Sequence, residues 1–160
     1  MTSNELRALM INVTNGRVLL PNANVTEIIS YSAPEPVEGA PAWLLGRLRW
    51  RGWRVPVVSF SILTGLATRE IERNAKVTVH KALGGNPRLP FLAIMAQGFP
   101  RLTNISPNAL IPTGEGEFKA PGVMYHTILR DDSAVVPNLF DIENMVADVL
   151  QIAEPEAAPL

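Results

Sequence analysis

The chain has 160 residues, a formal net charge of -1, 47% hydrophobic and 18% charged residues, and no cysteine. That length and apolar content suit one compact domain, or two small ones sharing a core, and argue against a disordered chain. The near-neutral balance disfavours nucleic acid or an anionic membrane as partner of the whole molecule. The absent cysteines exclude disulfides and thiolate metal sites and fit a reducing compartment.

The opening residues, Met1 to Arg7, lack the basic patch, apolar stretch and small-residue cleavage site of a secretory signal. Apolar runs such as Val55 to Val58 fall far short of the roughly 18 residues a membrane span needs. The expectation is a cytoplasmic protein with no direct membrane insertion.

In chain order, Leu6 to Val13 and Arg17 to Leu20 flank Asn15-Gly16, a hairpin signal because both residues tolerate positive φ. Pro21-Asn22 stops the second strand, and Val25 to Tyr31 follows as a short extended or mixed segment. Ser32 to Pro41, with three prolines and two glutamates, suits a surface loop. Pro41 to Leu45 suggests one helical turn begun by proline. Gly46 to Arg51 alternates, with Arg47, Arg49 and Arg51 on one face and Leu48 and Trp50 on the other, which is strand patterning. Trp43 and Trp50 are therefore expected inside, Arg47 and Arg49 outside. Arg51-Gly52 turns the chain into a strand from Trp53 to Phe60, where Pro56 demands an edge or a bulge. Ser61 to Gly65 reads as a short helix ended by glycine.

Further strands are expected at Ala75 to Ala82, Leu89 to Ala96 and Phe99 to Ile105, then a loop from Ser106 to Gly122. Val123 to Leu129 and Ala134 to Leu139 pair across the polar turn Arg130 to Ser133. Asp141 is placed to cap a last helix reaching about Ile152, with Ile142, Met145, Val146, Val149 and Leu150 at helical spacing. Residues 153–160 read as a flexible tail, leaving 1–152 as the domain. Many short strands broken by glycine and proline indicate an all-β barrel or sandwich.

The chemical inventory is thin. His80 and His126 have no second ligand at metal-binding spacing and read as structural residues. No nucleophile elbow or phosphate loop is present. Asp131-Asp132, and Glu115 with Glu117, point in different directions and make poor catalytic pairs. The expectation is a protein that is not an enzyme and holds no metal or cofactor. Trp43 to Arg54 is unusual, with three tryptophans and four arginines in twelve residues. It admits three readings: tryptophans in the core under a solvated arginine face, a protein-binding surface, or a small β-barrel nucleic-acid-binding module.

One block narrows the choice. Val25-Thr26-Glu27-Ile28 is followed by a proline-bearing loop, Pro41-Ala42-Trp43, then Gly46-Arg47-Leu48-Arg49-Trp50-Arg51-Gly52, then Val55-Pro56-Val57-Val58. This resembles the CheW-like family of chemotaxis coupling proteins. Phe91 to Ile105 and Ala134 to Val149 continue the likeness more faintly. The resemblance implies an all-β fold of two intertwined five-stranded SH3-like barrels with a short C-terminal helix. It implies a non-enzymatic adaptor that binds the cytoplasmic tip of a methyl-accepting chemoreceptor and the regulatory domain of a CheA-type histidine kinase, not nucleic acid. Val25, Glu27, Gly46 and Arg51 match the family's receptor-coupling region, and Arg49 and Gly52 complete the candidate partner-binding set. A Glu27–Arg51 pair is the structural alternative for those two charges. The family's aspartates are replaced by Ser59 and Gln97, and its Asn-Leu step by Arg49-Trp50. Such departures resemble accessory, ChpC-like members of pilus-linked chemosensory systems.

Overall fold

The computed structural model describes residues 6–105, 111–113, 122–129 and 132–152, with the backbone alone at 6, 111–113, 124–129 and 132. Eleven strands, two α-helices and a 3-10 turn at Asn22–Asn24 are defined among them: β1 Leu6–Val13, β2 Gly16–Pro21, β3 Val25–Ser30, β4 Leu44–Trp50, β5 Trp53–Val58, α1 Phe60–Thr64, β6 Ala75–Lys81, β7 Phe91–Gln97, β8 Arg101–Ile105, β9 Ile111–Thr113, β10 Val123–Leu129, β11 Asp132–Pro137 and α2 Leu139–Leu150. They form a six-stranded sheet in the order β8-β1-β2-β11-β10-β9 and a five-stranded sheet in the order β3-β6-β7-β5-β4. This is the expected pair of SH3-like barrels, the first with a short sixth strand. The chain begins in the first sheet, builds the whole second sheet, and returns to finish the first.

Alternation along the strands produces three apolar cores. Ala8, Met10, Leu19, Ile105 and Ala134 fill the first barrel. Leu48, Trp50, Val55, Val57, Val77, Val79 and Ala93 fill the second. The opposite faces of the same strands meet between the sheets: Leu9 and Ile11 of β1 and Val18 and Leu20 of β2 pack with Leu92 and Ile94 of β7, Phe60 of α1, and Ile142 and Val146 of α2. Strands buried on both faces tolerate few charges, so the low charged fraction of the sequence follows from the two-barrel plan.

Several local expectations are corrected. Pro41 to Leu45 is no helical turn; the Leu44 amide donates to the Pro41 carbonyl at 3.1 Å in a single β-turn, and β4 begins at Leu44. Phe60 does not extend β5 but opens α1, because the Ser59 side chain caps that helix by accepting from the Ile62 amide at 3.1 Å. Pro56 is neither at an edge nor in a bulge, for β5 lies between β7 and β4. It faces Arg47, whose own amide and carbonyl bond to Glu35, and the pairing with β7 starts one residue later at Val57, so no ladder donor is missed. Asp141 does not cap α2; Asn138 does, and Asp141 instead accepts from the Gly122 amide at 3.0 Å. Leu139 belongs to α2, not to the preceding strand. The expected loop 106–122 contains β9. Glu115, Glu117, Asp131, the His126 side chain and the tail 153–160 lie outside the described residues.

Helix α2 is tied to the second sheet by a buried charge. Glu143, 6% exposed, accepts from the amides of Leu83 at 2.9 Å and Gly84 at 2.8 Å in the loop joining β6 to β7. Charge-assisted bonds to two amides satisfy a carboxylate that burial would otherwise penalise.

His80 sits in β6 at 2% exposure, with Nε2 2.7 Å from the Thr78 hydroxyl. Its Nδ1 has no partner among the described residues. Burial lowers its pKa from 6.5 to about 4, so the folded protein holds it neutral at pH 7. Between those values the unfolded chain takes up a proton that the folded chain refuses. Stability should therefore fall as pH drops from about 6.5 to 4, by up to about 3 kcal/mol from this residue. Urea melts at pH 7, 5 and 4 should show that His80→Leu removes this component of the slope; an unchanged slope would contradict the assignment.

Candidate partner-binding site

The β4–β5 hairpin projects the candidate residues. Trp50 and Trp53 face each other across its end, and only Arg51 and Gly52 connect them. Their φ angles are +46° and +81°, the left-handed pair that a two-residue hairpin requires. Glycine takes that conformation freely, whereas arginine does so at a cost of order 1 kcal/mol. The Arg51 side chain is 61% exposed.

Glu27 of β3 organises the tip. One of its oxygens accepts from the Trp50 indole N–H at 2.6 Å and lies 3.2 Å from Nη2 of Arg51. The guanidinium stands 4.7 Å over the Trp50 ring. The expected Glu27–Arg51 pair is thus present, and Trp50 is its third member. Trp50 also meets Phe91 edge-on with ring centroids 4.9 Å apart, while Trp53, 46% exposed, tilts over the same Phe91 at 6.0 Å. The result is a shallow hollow lined by Arg49, Trp50, Arg51, Gly52, Trp53 and Arg54.

The structure brings Glu27, Arg51 and Gly52 together and sets Arg49 beside them, exposed and opposite Arg54. Arg47 is half-buried rather than fully exposed, and Trp43 is half-buried against the core between the sheets. Val25 packs toward that same core. Gly46 lies at the other end of β4, where the loop before β4 runs along its edge: Glu35 exchanges both backbone bonds with Arg47 at 2.9 Å. A Cβ on Gly46 would collide with the Glu35 carbonyl oxygen. The Glu35 carboxylate holds Nη2 of Arg54 at 3.0 and 3.2 Å, so the strap is fastened at both its backbone and its side chain.

Sequence reasoning missed Trp50 as a ligand of Glu27, and it missed Trp53, Phe91 and Glu35. The hairpin register carried a signal for Trp53, since a two-residue turn at Arg51-Gly52 must place it across from Trp50. The contacts of Phe91 and Glu35 depend on long-range folding. The nucleic-acid reading gains no support from this geometry. Trp50 is turned inward, and Arg51 and Arg54 are each paired with a carboxylate.

Among the described residues no cluster of three or more His, Asp or Glu is placed to hold a metal, and no helix is long and apolar enough to cross a membrane. The hairpin tip carries arginines and a part-exposed tryptophan, residue types enriched at protein–protein hot spots. Residues 7–150 match the family model of the CheW-like domain, and the chain belongs to that family of chemotaxis coupling adaptors. The fold is similar to the crystal structure of the scaffolding protein TtCheW from Thermoanaerobacter tengcongensis, with a TM-score of 0.70, 14% identity and 84% of each chain covered. Comparison with curated protein sequences gives no significant match.

The departures from the family pattern now have locations. Ser59 is fully buried and caps α1. Trp50, in place of leucine, fills the second barrel and reaches Glu27 as well.

Proposed function

We propose that this protein is a cytoplasmic, non-enzymatic adaptor that couples the cytoplasmic tip of a methyl-accepting chemoreceptor to the regulatory domain of a CheA-type histidine kinase. Its hairpin tip is the partner-binding face: Arg49 and Arg51 make the contacts, Glu27 orients Arg51, Val25 seats the strand that carries Glu27, and Gly46 and Gly52 shape the backbone. The Arg49-Trp50 step and the residues at 59 and 97 favour an accessory, ChpC-like member serving a pilus-linked system and hence twitching motility. The observation that carries the reading is the Glu27–Trp50–Arg51 arrangement, which spends backbone strain on holding a guanidinium out in solvent with its fork only partly used.

Arg51→Gly tests it cleanly, because glycine relieves the positive φ at that position. The exposed ion pair contributes little to folding, so the melting temperature should stay level or rise. Affinity for a receptor-tip peptide or the kinase regulatory domain should fall by about 1–3 kcal/mol. Arg51→Lys should recover little, since lysine lacks the planar fork. Calorimetry that finds unchanged affinity for both partners would remove Arg51 from the binding face.

A further inference from the structure

At the end of the second sheet remote from the hairpin tip, one carboxylate collects three neutral donors from three separate parts of the chain. Glu70, in the segment between α1 and β6, accepts from the Ser59 hydroxyl at 2.5 Å on one oxygen. On the other it accepts from the Thr14 hydroxyl at 2.8 Å and the Gln97 side-chain amide at 3.2 Å. Thr14 belongs to the β1–β2 turn of the first sheet, whereas Ser59 follows β5 and Gln97 ends β7 in the second. The same turn is held by two more bonds: Ser61 donates its hydroxyl to the Thr14 carbonyl, and Asn15 donates its side-chain amide to the Leu66 carbonyl at 3.0 Å.

Two of the three donors are already committed in a way that fixes their orientation. The Ser59 oxygen receives the Ile62 amide as the cap of α1, so its single proton points to Glu70. Gln97 gives its second N–H to the Ile71 carbonyl at 2.8 Å. An acid at either position would set a second negative charge against Glu70 in a half-buried site, where like charges repel strongly.

We infer that Glu70 is a clasp that locks the first barrel onto the second, and that the uncharged residues at 59 and 97 are matched to it. Ser59 and Gln97 are thus one coupled feature: a carboxylate supplied from the α1–β6 segment, and hydrogen-bond donors placed to receive it. The clasp adds a polar fastening, at one end of the second sheet, to the apolar core that joins the barrels.

A double-mutant cycle on the full chain tests this. Ser59→Asp alone should lower the melting temperature by about 3–6 °C, a shift on the scale expected for a lost bond and a repulsion in a chain of this size. In the Glu70→Gln background the same substitution should cost nothing or raise the melting temperature, because the new amide can donate to the aspartate, which still caps α1. Gln97→Asp should likewise cost less in the Glu70→Gln background than alone, although the bond to the Ile71 carbonyl is lost in both. Native-state hydrogen exchange supplies a second readout: Glu70→Gln should speed exchange at the amides around Thr14 and Asn15 and at the start of α1, with the interiors of both barrels still protected. Equal costs of Ser59→Asp in the two backgrounds would overturn the matching. Unchanged exchange at the β1–β2 turn would overturn the clasp.

Discussion

Trp50→Ala is expected to remove about 3–5 kcal/mol of folding free energy, the range for truncating a buried aromatic side chain. The indole fills the second barrel at 7% exposure, packs edge-on against Phe91, and donates to Glu27. Its loss leaves a cavity and a carboxylate without its shortest hydrogen bond, and it takes away the ring under Arg51. Trp50→Phe should retain most of the packing and lose mainly the Glu27 bond, a cost of about 1–3 kcal/mol. Urea denaturation of the two variants separates the terms. A loss below about 1 kcal/mol for the alanine variant would show that the ring is not part of the core.

Gly46→Ala is expected to cost about 2–4 kcal/mol, although it adds a single methyl group. Two independent obstacles meet there. The φ of +142° is one that side chains rarely adopt, and the new Cβ would run into a backbone oxygen, which cannot swing away as a flexible side chain does. The chain would relieve the clash by lifting the Glu35 strap from β4, breaking the paired backbone bonds with Arg47. Gly39→Ala is the control: φ is +74° with no atom within 4 Å of the added methyl group, so only the conformational cost of about 1 kcal/mol applies. Exchange at the amides of Glu35 and Arg47 should rise in the first variant and stay level in the second.

What the sequence revealed, and what it hid, follows from the range of the forces involved. The alternation of Leu48 and Trp50 against the arginines is a local pattern, and it correctly turned Trp50 inward and Arg49 outward. The Arg51-Gly52 step and the spacing of Ile142 and Val146 are equally local, and the hairpin and the last helix were readable from them. Pro56 was misjudged because strand order depends on pairing with β7, far along the chain. Asp141 was misjudged as a cap because two residues of suitable chemistry, Asn138 and Asp141, stand within one turn, and only the geometry of the chain entering α2 selects between them. The family block located Glu27 and Arg51, yet nothing local announced that Trp50 joins them. Glu70 left no trace at all in the sequence, since its partners come from Thr14, Ser59 and Gln97.

The nesting of one sheet inside the other has a consequence for the order in which the chain acquires structure. Every strand of the five-stranded sheet lies between residues 25 and 97, so that barrel is complete soon after its last strand emerges from the ribosome. In the other sheet β2 must find β11, aligned through Val18 and Val135, across the entire intervening barrel. Loop closure over such a distance is slow. Until it happens, β2 presents an unpaired apolar edge, Val18 to Leu20, to any neighbouring nascent chain. A hairpin synthesised ahead of the whole second barrel is therefore among the last parts to be protected, since β1 waits for β8 on one side just as β2 waits for β11 on the other.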